Sequence, residues 1–391
     1  MKANLKVVKS LPHFTVNAKV LRDALELGNP EKKTTIPILS NVLFELIDDI
    51  LKLTTTDLDQ TVVTELDAIP SKHKGPREPF TIPWRKTIDL LSGEDGLAVF
   101  TPLENNWVKM AVGGVEYKLI GMTPKNYPKI AEAVDPFHNI SGETLSEMLG
   151  RTTFAISQEE TRYTLNGARF LFNSGSFQIA ATDGHRLAIE KRSVDVTCKD
   201  GTQTLIVPRP ALTWLSRPKR LTKEFVGISW SDLSSTDARI FFHLPHLRTV
   251  FSTRKLNGQF PTVEAVTPRK EDVRITAAFS SAETVSKLLA RVAKFADERS
   301  GCVRFNFNGK VTFSAQSTEL GEAQADVPAT LTGTEEDFAI KIGLNSGYVM
   351  DVLKVIGKKP VSILLKDAQS AAMIVSPEFE GYSYILMPMR L

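Results

Sequence analysis

Only two cysteines occur in 391 residues, Cys198 and Cys302, far apart and in no C-x-x-C pair. That shortage excludes a disulfide-stapled scaffold and a cysteine zinc site, and it suits a reducing cytoplasm. Long apolar runs are missing as well: nowhere do about eighteen apolar residues follow one another, as a membrane helix needs. Lysines interrupt Leu5-Lys6-Val7-Val8-Lys9, so no signal-peptide core is expected at the opening of the chain. Charge of one sign is not in excess either, because 48 Lys and Arg against 45 Asp and Glu leave only +3. A nucleic-acid partner would have to be met by cations sorted onto one surface. The sequence also lacks a G-x-x-x-x-G-K-S/T phosphate loop, a G-x-G-x-x-G fingerprint, H-E-x-x-H and a G-x-S-x-G elbow. The histidine pair in His243-Leu244-Pro245-His246 encloses a proline and has no helix or cysteine beside it, so no metal site is expected. Asp183 and His185 could form an acid–base couple, which gives the alternative reading of a nucleic-acid repair enzyme. Gly184 breaks the strand between them, however, and no nucleophile is placed by sequence.

What is present is a long, ordinary globular composition, 42% hydrophobic and 24% charged, which predicts two or three domains. A repeat organises it. Asn17 precedes a helix pattern with Val20, Leu21, Ala24 and Leu25 on one face, followed by strands from Ile38 to Leu46 and from Leu51 to Asp57. Pro83 opens a second helix that ends before Gly93. The order then returns, with a helix from Ser141, a strand ending at Thr182-Asp183 and a helix after Pro208. Asp57 and Asp183 lie 126 positions apart (183 − 57), and Pro83 and Pro208 lie 125 apart (208 − 83). A third copy has a capping box in Ser280-Ser281-Ala282-Glu283, a hairpin turning at Asn308-Gly309, Gln316 in the place of the aspartates, and a helix capped by Asn345. The fold class read from this is α+β, three copies of one unit with two helices packed on antiparallel sheets. The expected domains are 1–136, 137–267 and 268–391. All six helices carry Lys or Arg off their apolar face, Arg151 being the one on the third.

Two stretches concentrate apolar and hydrogen-bonding side chains together: Ile179 to Ala188, which turns at Asp183-Gly184, and the final Tyr384 to Leu391. Their mixture predicts one docking groove, to which both contribute.

These residues carry a resemblance. Thr182-Asp183-Gly184-His185-Arg186-Leu187-Ala188, Arg162-Tyr163-Thr164-Leu165-Asn166-Gly167, Ile36-Pro37-Ile38-Leu39-Ser40-Asn41 and terminal Met387-Pro388-Met389-Arg390-Leu391 look like the bacterial sliding clamp, the beta subunit of DNA polymerase III. The resemblance implies a ring-shaped head-to-tail homodimer, without catalysis or cofactor, that encircles double-stranded DNA irrespective of sequence. It implies docking of the replicative polymerase's catalytic subunit, the clamp loader complex, and other polymerases and repair proteins through a short peptide. No membrane partner is implied. The groove would use Leu165, Thr182, Gly184, His185, Arg186, Leu187, Pro261, Val266, Asn345, Tyr348, Ile385, Leu386, Met387, Pro388, Met389 and Arg390. DNA contacts would lie at Lys33, Arg85, Glu159, Tyr163 and Thr164, with Lys86, Arg162 and Arg209 nearby by charge. The subunit interface would set Tyr117 and Leu119 against Lys294 and Phe295. The chain departs from the family at Glu159, a carboxylate on the DNA side, at Ala265, where an Arg often borders the groove, and at Ser300.

Overall fold

The computed structural model describes residues 13–28, 35–70, 78–196, 198, 201–333 and 340–391. The chain forms two compact units, one of Met1–Ser141 with Lys223–Arg254, the other of Gly142–Thr222 with Lys255–Leu391. Every described strand pair is antiparallel.

The first unit has a five-stranded sheet in the order Ile69–Pro70, Phe14–Asn17, Leu97–Pro102, Trp107–Val112, Val115–Ile120. Its eight-stranded sheet runs His138–Ser141, Phe225–Trp230, Arg239–Leu244, Thr249–Arg254, Gln60–Asp67, Ile50–Thr56, Asn41–Ile47, Phe80–Pro83. Helices α1 (Ala18–Glu26) and α2 (Trp84–Leu91) share a core with these strands. There the rings of Phe14, Phe44, Phe80 and Phe100 stack on one another, 4.9 Å apart at the closest pair. Asn17 caps α1 as expected, its Oδ1 accepting from the Val20 N–H at 3.0 Å. The buried stripe of α1 is Ala18, Leu21, Ala24 and Leu25, whereas Val20 is exposed. The expected apolar face is therefore rotated: positions 18, 21 and 25 follow the helical period, and Ala18, not Val20, is its first member. Pro37 likewise turns Pro37–Ser40 into a 3-10 helix, so the strand expected from Ile38 begins at Asn41.

The second unit has a nine-stranded sheet, Gln203–Pro208, Gly167–Asn173, Ser176–Thr182, Arg186–Ser193, Tyr382–Leu386, Ala372–Val375, Val361–Leu365, Ile275–Phe279, Thr330–Thr332. Its four-stranded sheet runs Gly321–Val327, Val311–Ser317, Cys302–Phe307, Ile340–Asn345. Among the described residues five α-helices accompany them: α3 (Gly142–Thr152), α4 (Arg209–Leu215), α5 (Val263–Val266), α6 (Ala282–Val292) and α7 (Ser346–Ile356). Asn345 caps α7 through the Tyr348 N–H at 3.1 Å. The capping box expected on α6 is not formed. Ser281 is the N-cap, which puts Glu283 one position short of where it could reach back, and Glu283 instead pairs with Lys287 at 2.8 Å. Ser317, not Gln316, stands in the place of the aspartates. Asp57 accepts from the N–H groups of Asp59 and Gln60, Asp183 from those of His185 and Arg186, and Ser317 from those of Glu319 and Leu320.

Each large sheet is continuous across a border expected between repeats. Phe251 pairs with Val62 in the first unit, and Tyr384 pairs with Ala188 in the second. Unbroken ladders of this kind are why the compact units fall elsewhere than at residues 136 and 267.

Candidate docking groove and basic surface

The groove lies in the second unit and is built on one turn. Gly184 has φ 90°, a conformation that side chains resist, and a Cβ there would meet Arg162 Nη1 at 2.5 Å. Thr182 Oγ1 accepts from the Gly184 N–H at 3.0 Å and donates to the Arg186 carbonyl. The Asp183 carboxylate takes the N–H groups of His185 and Arg186 on one oxygen and Arg186 Nε, at 2.9 Å, on the other. Three of its lone-pair sites are thus committed to holding the turn. The His185 ring lies over Tyr348, centroids 6.5 Å apart.

Arg186 ties three elements together. Its guanidinium bonds Asp351 on α7, the Phe154 carbonyl beyond α3, and Asp183, and it lies 4.3 Å above the Tyr348 ring. Burial works against its charge, but Asp351, the Tyr384 phenol and Asp183 outweigh that and hold the proton more firmly than in an ordinary arginine. Tyr384 is buried, donates to the Tyr348 carbonyl at 2.9 Å, and is shifted upward by that burial.

The second side of the groove is the chain's last strand. Ile385 faces Leu187 across the ladder, and Leu386 faces Arg186. Beyond the strand, the Met387 N–H donates to the His185 carbonyl at 3.0 Å and the Met389 N–H to the Gly343 carbonyl at 2.8 Å. Gly343 is required for that contact, since a Cβ would sit 2.9 Å from both the Met389 oxygen and Cys302 Sγ. The third side is Phe260 to Val266, where α5 turns Val263 and Val266 inward. A cavity of about 160 Å³ results, walled by Thr182, His185, Arg186, Leu187, Phe260, Pro261, Val263, Val266, Ile385 and Met387 among others.

Of the expected groove residues, Thr182, Gly184, His185, Arg186, Leu187, Pro261, Val266, Ile385 and Met387 line this cavity. Tyr348 and Leu386 support it from behind. Leu165, Asn345, Pro388 and Met389 are half-buried outside it, and Arg390 is exposed. Phe260, Thr262 and Val263 were not foreseen, although the apolar Phe260-Pro261 beside Val263 carried the signal. Arg169 was missed too. It is largely buried, donates to Gln178 at 2.6 Å, pairs with Glu264 of α5 at 3.5 Å and lies 5.8 Å from the Phe260 ring, so it anchors the third wall from below.

The candidate DNA residues are distributed unevenly. Lys33 lies outside the described residues. Arg85 and Lys86 are exposed on the first turn of α2, with Arg85 5.5 Å from the Trp84 ring. Arg209 is exposed at the start of α4, Tyr163 is 54% exposed, and Thr164 is half-buried with its methyl against Gly258. Arg162 gives its charge to Glu159 at 2.9 Å and donates to the Asp183 carbonyl at 2.6 Å. Glu159 is thereby neutralised by its neighbour. Arg151, expected as the free cation of the third helix, is instead turned inward onto buried Glu190 at 2.7 Å and over the Phe379 ring. The candidate interface residues Tyr117 and Leu119 sit on the open edge of the five-stranded sheet. Lys294 and Phe295 form a 3-10 turn after α6. Among the described residues no helix is long and apolar enough to cross a membrane.

Comparison with known proteins gives these features a common origin. Residues 139–262 match the family model described as DNA polymerase III beta subunit, central domain, and residues 265–390 that of the C-terminal domain. The beta sliding clamp of Pseudomonas aeruginosa is 28% identical over 389 residues, covering 97% of this chain and 100% of the relative. That of Escherichia coli K12 is 26% identical over 388 residues with the same coverage. A crystal structure of the Pseudomonas aeruginosa DNA polymerase III subunit beta superposes with a TM-score of 0.85 at 28% identity, over 97% of this chain and 100% of that one. A sliding clamp from Bartonella birtlesii bound to griselimycin does so with 0.84 at 26% identity and the same coverage. With matched spans running almost unbroken from residue 139 to residue 390, and relatives aligned along nearly the whole length, the chain belongs to the DNA polymerase III beta subunit family, the beta sliding clamps.

Proposed function

We propose that this chain closes with a second copy into a head-to-tail ring around duplex DNA and tethers a replicative polymerase to it. Three modules, 1–136, 137–267 and 268–391, would build each half of the ring. The observation that carries the tethering role is the groove, an apolar cavity whose turn and last strand are fixed by hydrogen bonds and whose α5 wall is tied by the Arg169–Glu264 pair. A short peptide with two apolar anchors would gain roughly 3–6 kcal/mol by burying them, before ordering costs. That fits an affinity no better than about micromolar and ready exchange among a polymerase, a clamp loader, and repair factors carrying such a peptide. Met387 adds a pliable wall that tolerates several ligands.

DNA would be held loosely. Lys86, Arg85, Arg209 and the exposed lysines of α6 and α7 offer phosphate contacts without base readout, which permits sliding. Retention then comes from topology, consistent with a net charge of only +3. The test is retention on DNA after loading: the protein should stay on closed circles and leave once they are linearised. Equal loss from both forms would end the clamp reading.

A further inference from the structure

Three ion pairs stand around the groove, and all three are oriented alike. Arg186, which lines the cavity, pairs with Asp351 of α7. Arg162, packed over Gly184 and bonded to the Asp183 carbonyl, pairs with Glu159. Arg169, beside the Phe260 ring, pairs with Glu264 of α5. In each pair the arginine is the inner member. The side chains of Arg186, Arg162 and Arg169 are 11%, 37% and 9% exposed, against 48%, 60% and 65% for Asp351, Glu159 and Glu264.

The cause is local in each case. Arg186 is drawn in by the Asp183 carboxylate and the Phe154 carbonyl, Arg162 by the Asp183 carbonyl, and Arg169 by Gln178 at 2.6 Å. The guanidinium forks thus find further acceptors beneath them. The three carboxylates meet one arginine each and keep their remaining lone pairs for whatever lies outside. A pair held this way is neutral in sum but not in its field, because protein covers the positive end and the negative end meets water. A peptide approaching the groove therefore encounters carboxylates first. Arg390, the exposed cation of the tail, lies outside the cavity beyond Met389.

We propose that the groove selects peptides whose apolar anchors are flanked by lysine or arginine, and that Asp351, Glu159 and Glu264 read those flanks. This rests on the tethering reading above and adds the charge of the segment that is tethered. A cationic flank reaches an outer carboxylate without displacing the arginine below, since a carboxylate accepts from several donors at once. An acidic flank meets like charge and finds the three arginines turned inward. Each contact is largely open to water, so singly it contributes little and salt screens it. Selectivity then comes from the number of carboxylates, and it is expressed in the rate of association more than in residence.

The test uses the full chain and a displayed library of random peptides. Clones captured by the full chain, and lost when Met387 to Leu391 are deleted, are groove binders. Their peptides are then synthesised with two lysines, two glutamines or two glutamates flanking the same anchors. At low salt the lysine form should bind about tenfold more tightly than the glutamate form, with the glutamine form between them. At high salt the ratio should shrink to within about threefold. Glu159→Gln with Glu264→Gln, which keeps an acceptor for each arginine, should lower the low-salt ratio to about twofold. The salt series is read on the unaltered chain and stands even where that variant unfolds. Equal binding of the three forms, or tighter binding of the glutamate form, overturns the charge preference and leaves the groove a docking site. A lysine preference untouched by both substitutions overturns its assignment to these carboxylates. A library that yields no clone dependent on Met387 to Leu391 overturns the tethering reading as well.

Discussion

Arg186 carries more of the groove than any other side chain, because it holds the turn, the end of α3 and α7 at once. Replacing it by alanine leaves Asp183 and Asp351 without their cation and removes packing against Tyr348 and Phe154. The expected cost is about 2–3 kcal/mol of stability, read by denaturant melts. Peptide affinity, read by calorimetry, should fall more than tenfold. An unchanged affinity would mean that the turn is held by its backbone alone. His243 offers a second residue-scale test. Burial holds its imidazole below the ordinary value, even though the Val134 carbonyl and Asp135 pull the other way, and burial lowers His138 as well. The folded chain therefore binds these protons less readily than the unfolded one. Their stabilising contribution is complete above the unfolded value of about 6.5 and is lost as pH falls through it. Melting temperature should drop between pH 7.5 and pH 5.5, and His243→Gln should flatten part of that slope. A steeper slope in the variant would contradict the sign. At this scale the sequence was readable where a side chain acts on its own neighbours, as Asp183 does. Arg162, Arg151 and Arg169 could not be read, because their acceptors arrive from elsewhere in the chain or their burial depends on packing.

At the scale of elements, the chain's last residues and α5 were legible to different degrees. The closing strand showed itself by keeping apolar residues at the end of the chain, and the ladder to Arg186–Ser193 accounts for them. The four-residue α5 carried no period to detect, so its Val263, and Phe260 just before it, were not foreseen. Deleting Met387 to Leu391 should abolish peptide binding while the sedimentation mass stays that of the full-length dimer. A monomeric or unfolded product would show that those residues hold the fold instead. A gentler probe is Gly343→Ala, whose new methyl would press on the Met389 carbonyl and Cys302 Sγ at 2.9 Å. Peptide affinity should weaken several-fold with little change in melting temperature. The repeat itself was legible because Asp57 and Asp183 both serve as turn caps. The third copy was misaligned by one residue because serine does there what aspartate does in the others.

For the whole molecule, the small net charge makes salt a discriminating variable. Exposed cations on helices should help the chain onto DNA at low ionic strength, while retention on closed circles should be insensitive to salt once loaded. Lys86→Glu with Arg209→Glu should slow loading severalfold yet leave the half-life on circles within about twofold. A half-life that collapses in proportion would indicate that charge, and not closure, keeps the protein in place. Composition could set these expectations, but it could not reveal that each large sheet is shared between neighbouring repeats. Sharing of that kind is a property of long-range strand pairing, which leaves no local trace in the residues involved.

The ladder between Arg186 and Leu386 joins residues two hundred positions apart in the chain. Contacts of such separation form late, since a long loop must close before they return any free energy. During synthesis the Arg186–Ser193 edge has to wait, bare on one side, until residues 382–386 have emerged. The groove therefore cannot form in a product cut short before residue 382, which is left instead with a sticky open edge.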